Sequence, residues 1–201
     1  MSMLSFLLYC FIVTFTPGPS NIIILSIANK EGTAQALRYT YGATVAFGLL
    51  LTASATLNSV LAAILPHIIL GMQIVGSLYM LYLAYQISRK SKPSPAVQDK
   101  STDTSTIQGL GTFRSGFITQ FVNPKVILFT MTVIPTFIMP YYSAVPALLA
   151  GVLGITFIGF LAYTTWVMFG TIFKTFLQRN QRITNLVMTA FLVYAAIMMW
   201  V

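Results

Sequence analysis

"FTPGPSN", Phe15–Asn21, interrupts an apolar run that extends from Met3 to Ala28. A run of that length is what a membrane-crossing helix needs, about 20 residues. Yet Pro17-Gly18-Pro19 is poor helix material, because proline lacks the backbone N–H and its ring clashes with the preceding turn. A chain that breaks its first span near the middle needs a reason to do so, and that reason organises the rest of the sequence.

Composition identifies the solvent. Apolar residues make up 57% of the 201 and charged residues 7%, whereas an ordinary soluble domain carries about 25% charged residues. This much apolar surface points to a lipid bilayer. Lys and Arg outnumber Asp and Glu by 11 to 3. The basic residues are few and scattered between apolar runs, which argues against nucleic acid and fits the positive-inside rule. Cys10 is the single cysteine, so there is no intrachain disulfide or cysteine zinc cluster, and no dithiol for a membrane oxidoreductase. Cys10 itself reads as a small apolar filler. Metal efflux needs a set of His, Cys or acidic ligands within the spans, and the spans hold no such set. No enzyme, metal or cofactor is indicated. No basic residue precedes Lys30, so the first segment lacks the positive region of a cleaved signal peptide and is expected to be retained.

Six apolar spans are expected: Met3–Ala28, Tyr39–Leu65, Ile68–Ser88, Gly116–Met139, Val145–Phe173 and Ile183–Val201. Spans two and three join tightly at Pro66-His67, and spans four and five turn at Pro140–Pro146. Lys30 and Arg38 follow span one; Arg89, Lys90, Lys92, Lys100 and Arg114 follow span three; Lys174, Arg179 and Arg182 follow span five. Basic connections alternate with connections free of Lys and Arg, so the basic ones are expected in the cytoplasm and both chain ends outside it. Arg89–Phe113 is rich in Ser, Thr, Pro and Gly without helical periodicity, which reads as a cytoplasmic linker. Asp99 and Asp103 read as its solvated charges.

Three spans precede the linker and three follow it, in opposite sense, as in an inverted repeat. "FIVTFTPGP", Phe11–Pro19, can be laid on "FITQFVNPK", Phe117–Lys125, with Pro17-Gly18-Pro19 falling on Asn123-Pro124-Lys125. The fold expected is an all-α integral membrane protein. Its six transmembrane helices form two inverted three-helix repeats, with helices 1 and 4 broken at TPGP and NPK. It is one domain over 1–201, with repeats at 1–88 and 114–201 and the linker at 89–113.

The second break explains the first. In each broken span a second half-helix begins near mid-membrane. Pro19 and Pro124 suit a first helical turn, where no N–H is required, and Asn123 suits an N-cap. Ser20 and Asn21 add polar groups. A helix start offers unpaired N–H groups and about half a positive charge. Spans of opposite sense point two such starts at each other, which suits an anion such as a carboxylate. Irregular backbone at that depth belongs beside a cavity or in a protein interior. Lys125 is the one basic residue deep within a span. Its partner is the substrate carboxylate, a backbone carbonyl, or nothing.

"TPGPSN" in span one and "FRSGFITQFVNPKVILFTMTVIPTF", Phe113–Phe137, resemble the LysE/RhtB family of bacterial amino-acid exporters. "VGSLYMLYLAYQI", Val75–Ile87, is similar to that family's third span. The resemblance covers essentially the whole chain. It implies efflux of amino acids or their derivatives across the bacterial inner membrane, by proton antiport. It carries site roles to Thr16, Pro17, Gly18, Pro19, Asn21, Asn123, Pro124 and Lys125, with Ser20 standing where many members have the asparagine directly. Gln120–Leu128 and Phe176–Ala196 are similar to the cysteine/O-acetylserine exporter branch, which adds Gln120 to the candidate substrate-binding residues. Proton carriage falls to Lys125, to Glu31 beside Lys30, or to His67 in the outer turn. Ala150, Gly154 and Gly159 permit close helix packing, within one chain or between two copies in a homodimer. A non-coupled channel or another small-solute transporter is the alternative.

Overall fold

The computed structural model describes residues 3–58, 70–71, 74, 77–78, 81–82, 84–85, 110–142, 144–173, 176 and 179–198. Seven helices run through them: α1 Met3–Phe15, α2 Pro19–Lys30, α3 Thr33–Thr56, α4 Phe113–Val122, α5 Pro124–Phe137, α6 Val145–Ile172 and α7 Gln181–Met198. No strand occurs among the described residues. Most of the expected third span, the Pro66-His67 turn and linker residues 89–109, with Asp99 and Asp103, lie outside the described residues.

Both expected breaks are present. The α1–α2 pair bends by 50° and the α4–α5 pair by 70°. Pro19 and Pro124 each open the second half-helix, as a residue without an N–H does at no cost in hydrogen bonds. The register differs from the expected repeat: three residues, Thr16-Pro17-Gly18, separate α1 from α2, whereas Asn123 alone separates α4 from α5. The two prolines are equivalent in structure, although the sequence overlay paired Pro19 with Lys125.

α6, with 28 residues, is long and apolar enough to cross a membrane by itself, and the two bent pairs are so if each is one span. α3 begins at Thr33 rather than Tyr39. Apolarity marks where lipid begins, while Gln35 and Arg38 continue the helix past that level. The turn before it is made by Glu31 and Gly32, with Gly32 at φ 101°, a conformation that suits glycine.

α3 is the central helix, in contact with α2, α4, α5 and α6. One core cluster joins α2, the first half of α3, the second half of α6 and part of α7, through Ile24, Ile27, Tyr39, Val167 and Leu192. The other joins α1, the second half of α3, α5 and the first half of α6, through Cys10, Phe47, Leu51, Val133 and Ile155. Cys10 is fully buried there. The helix breaks fall between the two clusters, so packed layers hold them from both sides. In lipid this packing is held by van der Waals contact more than by a drive out of water.

The tightest helix contact is α3 on α4. A Cβ added at Gly42 would overlap the carbonyl of Phe113, and one at Gly116 would overlap that of Tyr39. Gly159 is needed within the chain, against the Phe47 ring, whereas a Cβ at Gly154 would meet open space.

A polar site where the two broken helices meet

The breaks touch, and Ser20 is the hub. Its Oγ accepts from Asn123 Nδ2 at 2.8 Å and from Gln120 Nε2 at 3.0 Å. Gln120 Oε1 in turn accepts from the Tyr163 hydroxyl of α6 at 3.3 Å. Ser20, Gln120, Asn123 and Tyr163 are all buried. One buried network thus ties α2, α4, α6 and the second break together.

The broken end of α1 is dealt with separately. Breaking a helix strands its last carbonyls. Asn21 Nδ2 reaches back to Thr14 O and Thr16 O, both at 3.0 Å. Trp166 Nε1 donates to Phe15 O at 3.2 Å. Lys125 Nζ donates to Thr16 O at 2.8 Å. Of the three partners open in the sequence, Lys125 has the carbonyl. Its side chain crosses Gly18, where an added Cβ would lie 3.0 Å from Lys125 Cδ. The negative end of α1 is therefore covered by two amide hydrogens, an indole N–H and an ammonium.

The positive ends are left open. α2 starts after Gly18 and α5 after Asn123, and neither has a side-chain cap hydrogen bond. This corrects the expectation for Asn123. It occupies the N-cap position, but its amide is drawn to Ser20 and does not cap the α5 start.

A cavity of about 30 Å³ lies at the junction, lined by Gly18, Ser20, Asn21, Asn123, Lys125 and Tyr163, with Val13, Thr14, Phe47, Val126 and Phe129. Five of the ten expected site residues line it. Thr16 and Pro17 are exposed, Thr16 Oγ1 donates to Ile12 O of α1, and Thr16 serves the site by its carbonyl. Pro19 and Pro124 only start helices, and Gln120 stands behind Ser20. Sequence reasoning missed Tyr163 and Trp166. Their signal was available: each is an aromatic with a polar tip in an apolar span, where that tip needs a partner, and a spacing of three puts them on one helix face.

Glu31 is not among the residues that line this junction. Glu31 is half-buried between α2 and α3, beside Gly111, and its Oε1 has no hydrogen-bond partner among the described residues. His67 lies outside the described residues. No cluster of His, Cys, Asp or Glu able to hold a metal occurs among the described residues.

A second, larger cavity of about 470 Å³ is lined by Phe6, Phe137, Tyr141, Tyr142, Ala150 and Gly154, among others. A run of rings connects the two: Phe6 is tilted against Phe137 at 6.0 Å, while Phe137 stacks on Tyr9 at 4.9 Å, Tyr9 on Phe129 at 5.7 Å and Phe129 on Phe47 at 5.9 Å.

A largely apolar helical bundle with a buried polar junction at two broken helices has the build of a membrane transporter. The family model described as LysE type translocator matches residues 11–201, and the chain belongs to that family. It is 33% identical over 193 residues to a cysteine/O-acetylserine efflux protein of Klebsiella pneumoniae, covering 96% of this chain and 94% of that one. A protein of the same description from Salmonella paratyphi A is 32% identical over 197 residues, covering 98% and 96%. One from Escherichia coli is 28% identical over 193 residues, covering 96% and 94%. No solved structure matches the chain.

Proposed function

We propose that the chain exports amino acids or amino-acid derivatives, of the cysteine and O-acetylserine kind, across the bacterial inner membrane by proton antiport, and that the carboxylate of the substrate sits at the paired breaks. The observation that carries this is the imbalance at the junction. The carbonyl end of α1 is neutralised by Asn21, Trp166 and Lys125, while the starts of α2 and α5 have no side-chain caps. Uncapped helix starts favour an anion, and Lys125 adds a full positive charge that a carboxylate can share with Thr16 O. The six spans form two inverted repeats with both ends outside the cytoplasm. Substrate leaves past the stacked rings into the larger cavity, beside the turn at Tyr141-Tyr142.

The test is counterflow in liposomes together with ligand-induced thermal stabilisation. Wild type should bind and exchange L-cysteine or O-acetyl-L-serine, with saturation. Cysteamine, which lacks the carboxylate, should bind poorly. Lys125→Ala should remain folded and lose the preference for the acid. Equal affinity of wild type and Lys125→Ala for the acid would place the site elsewhere.

A further inference from the structure

The carboxylate explains the donors at the junction but leaves two acceptors over. Asn21 and Asn123 both line the small cavity and are 4% and 1% exposed. The amide nitrogen of each is committed, Asn21 to two backbone carbonyls and Asn123 to Ser20. Oδ1 of each has no hydrogen-bond partner among the described residues. The orientation of Asn21 is fixed by chemistry: only its NH₂ can serve Thr14 O and Thr16 O at once, so its oxygen is the atom left over. A buried acceptor without a donor is destabilising, so two at one cavity mark a place where a donor belongs. The volume, about 30 Å³, exceeds the roughly 10–15 Å³ that a water-sized group needs. It is far below what a whole amino acid needs.

We infer that Oδ1 of Asn21 and Oδ1 of Asn123 are the seat of the substrate's primary ammonium, so that the site selects free α-amino acids and rejects N-acylated ones. This rests on the proposed export of amino acids and adds to it the second recognition element. An ammonium is water-sized and carries three donors and no acceptor, which matches two carbonyl-type oxygens. A divalent cation is a poorer occupant, since such ions take carboxylate oxygens and no carboxylate among the described residues lines the cavity. An N-acyl group adds a carbonyl and a methyl that the cavity has no room for. The zwitterion is then read at both ends: carboxylate by the helix starts and Lys125, ammonium by the two asparagines.

The experiment measures thermal stabilisation of the purified full chain under reducing conditions by four related thiols. These are L-cysteine, N-acetyl-L-cysteine, 3-mercaptopropionate and cysteamine. The expected result is that L-cysteine binds at least about tenfold more tightly than N-acetyl-L-cysteine and than 3-mercaptopropionate. Asn123→Leu should lower L-cysteine affinity by a clearly larger factor than it lowers that of 3-mercaptopropionate, bringing the two together. Asn123→Asp, which keeps an acceptor in place, should retain L-cysteine binding. If 3-mercaptopropionate binds wild type as tightly as L-cysteine, the ammonium seat is overturned while the carboxylate reading survives. Stabilisation by sodium over choline chloride without any amino acid, lost in Asn123→Leu, overturns it in favour of an inorganic cation. Failure of all four ligands on folded wild type overturns both readings.

Discussion

Ser20→Ala tests how the junction is held together. Ser20 Oγ is the common acceptor of Gln120 Nε2 at 3.0 Å and Asn123 Nδ2 at 2.8 Å. Alanine removes that oxygen and strands two buried donors, each costing about 1–3 kcal/mol when unpaired. The sum would reach about 6 kcal/mol if neither recovered a partner. The adjoining cavity of about 30 Å³ admits water, which re-pairs donors at modest cost. A net loss of about 2–3 kcal/mol is therefore expected. Ser26 is the control on the same helix. It is equally buried, at 4% against 3% exposed, but its Oγ has no hydrogen-bond partner among the described residues. Ser26→Ala removes an unpaired group, so its effect should lie near zero or be slightly stabilising. The assay is equilibrium unfolding of each purified variant by SDS titration in mixed micelles, referred to wild type. Equal losses for Ser20→Ala and Ser26→Ala would show that the Ser20 network contributes nothing, and the account of how the breaks are joined would fail.

Other outcomes can be measured with the same preparations. Impermeant thiol reagents on intact cells should label Tyr142→Cys but not Pro95→Cys in a Cys10→Ala background; the opposite pattern inverts the proposed topology. Gly116→Ala should destabilise by about 1–3 kcal/mol or more, the usual cost of overpacking, because its Cβ meets the Tyr39 carbonyl and not a side chain that can turn away; Gly154→Ala, with open space above it, should be nearly neutral in the same unfolding titration. Lys125→Gln should flatten the pH dependence of counterflow if Lys125 carries the proton, and an unchanged profile moves that role to Glu31 or His67. Tyr9→Ala should speed release of substrate into the larger cavity in single-turnover efflux; an unaltered rate would remove the stacked rings from the exit path.

The fold was legible wherever backbone chemistry is written in single residues. Pro17, Gly18 and Pro19 announce the first break because a helix interior does not tolerate that series, and Asn123-Pro124 marks the second, although Pro135 sits within α5 without ending it. The site was legible only as an address. Ser20, Asn21, Asn123 and Lys125 do gather at one cavity, but their partners came from elsewhere. Asn123 was expected to cap its own helix through its oxygen, yet its amide nitrogen donates to Ser20, far away in sequence, and its oxygen makes no cap. Lys125 was read for its charge, and it has found the carbonyl that the break in α1 leaves exposed. Such pairings depend on which helices adjoin. That is decided by close approaches such as Gly42 on Phe113 and Gly116 on Tyr39, to which hydropathy is blind. A glycine within a helix costs about 1 kcal/mol relative to alanine, and that cost is the one hint of them in the sequence.

The same glycines bear on how a cavity of about 30 Å³ admits an amino acid. On the proposed cytoplasmic side the barrier is backbone against backbone, α3 on α4, and side-chain rotation cannot part it. Opening there requires α4 to move as a unit away from α3, and the single-residue hinge at Asn123, bent by 70°, is the place where that motion would turn. On the opposite side the barrier is a set of rings, Tyr9, Phe129 and Phe137, with ample space beyond them in the cavity of about 470 Å³. Ring rotation is fast, on a picosecond-to-nanosecond scale where a side chain is free, whereas collective helix motion takes microseconds to milliseconds. The two barriers therefore differ in kind. On the proposed topology, release outward would be gated by side chains, and loading from the cytoplasm by movement of α4, the half-helix whose end adjoins the site. A carboxylate arriving at the α5 start and Lys125 would act on that hinge directly, which gives the substrate itself the means to bias which barrier is closed.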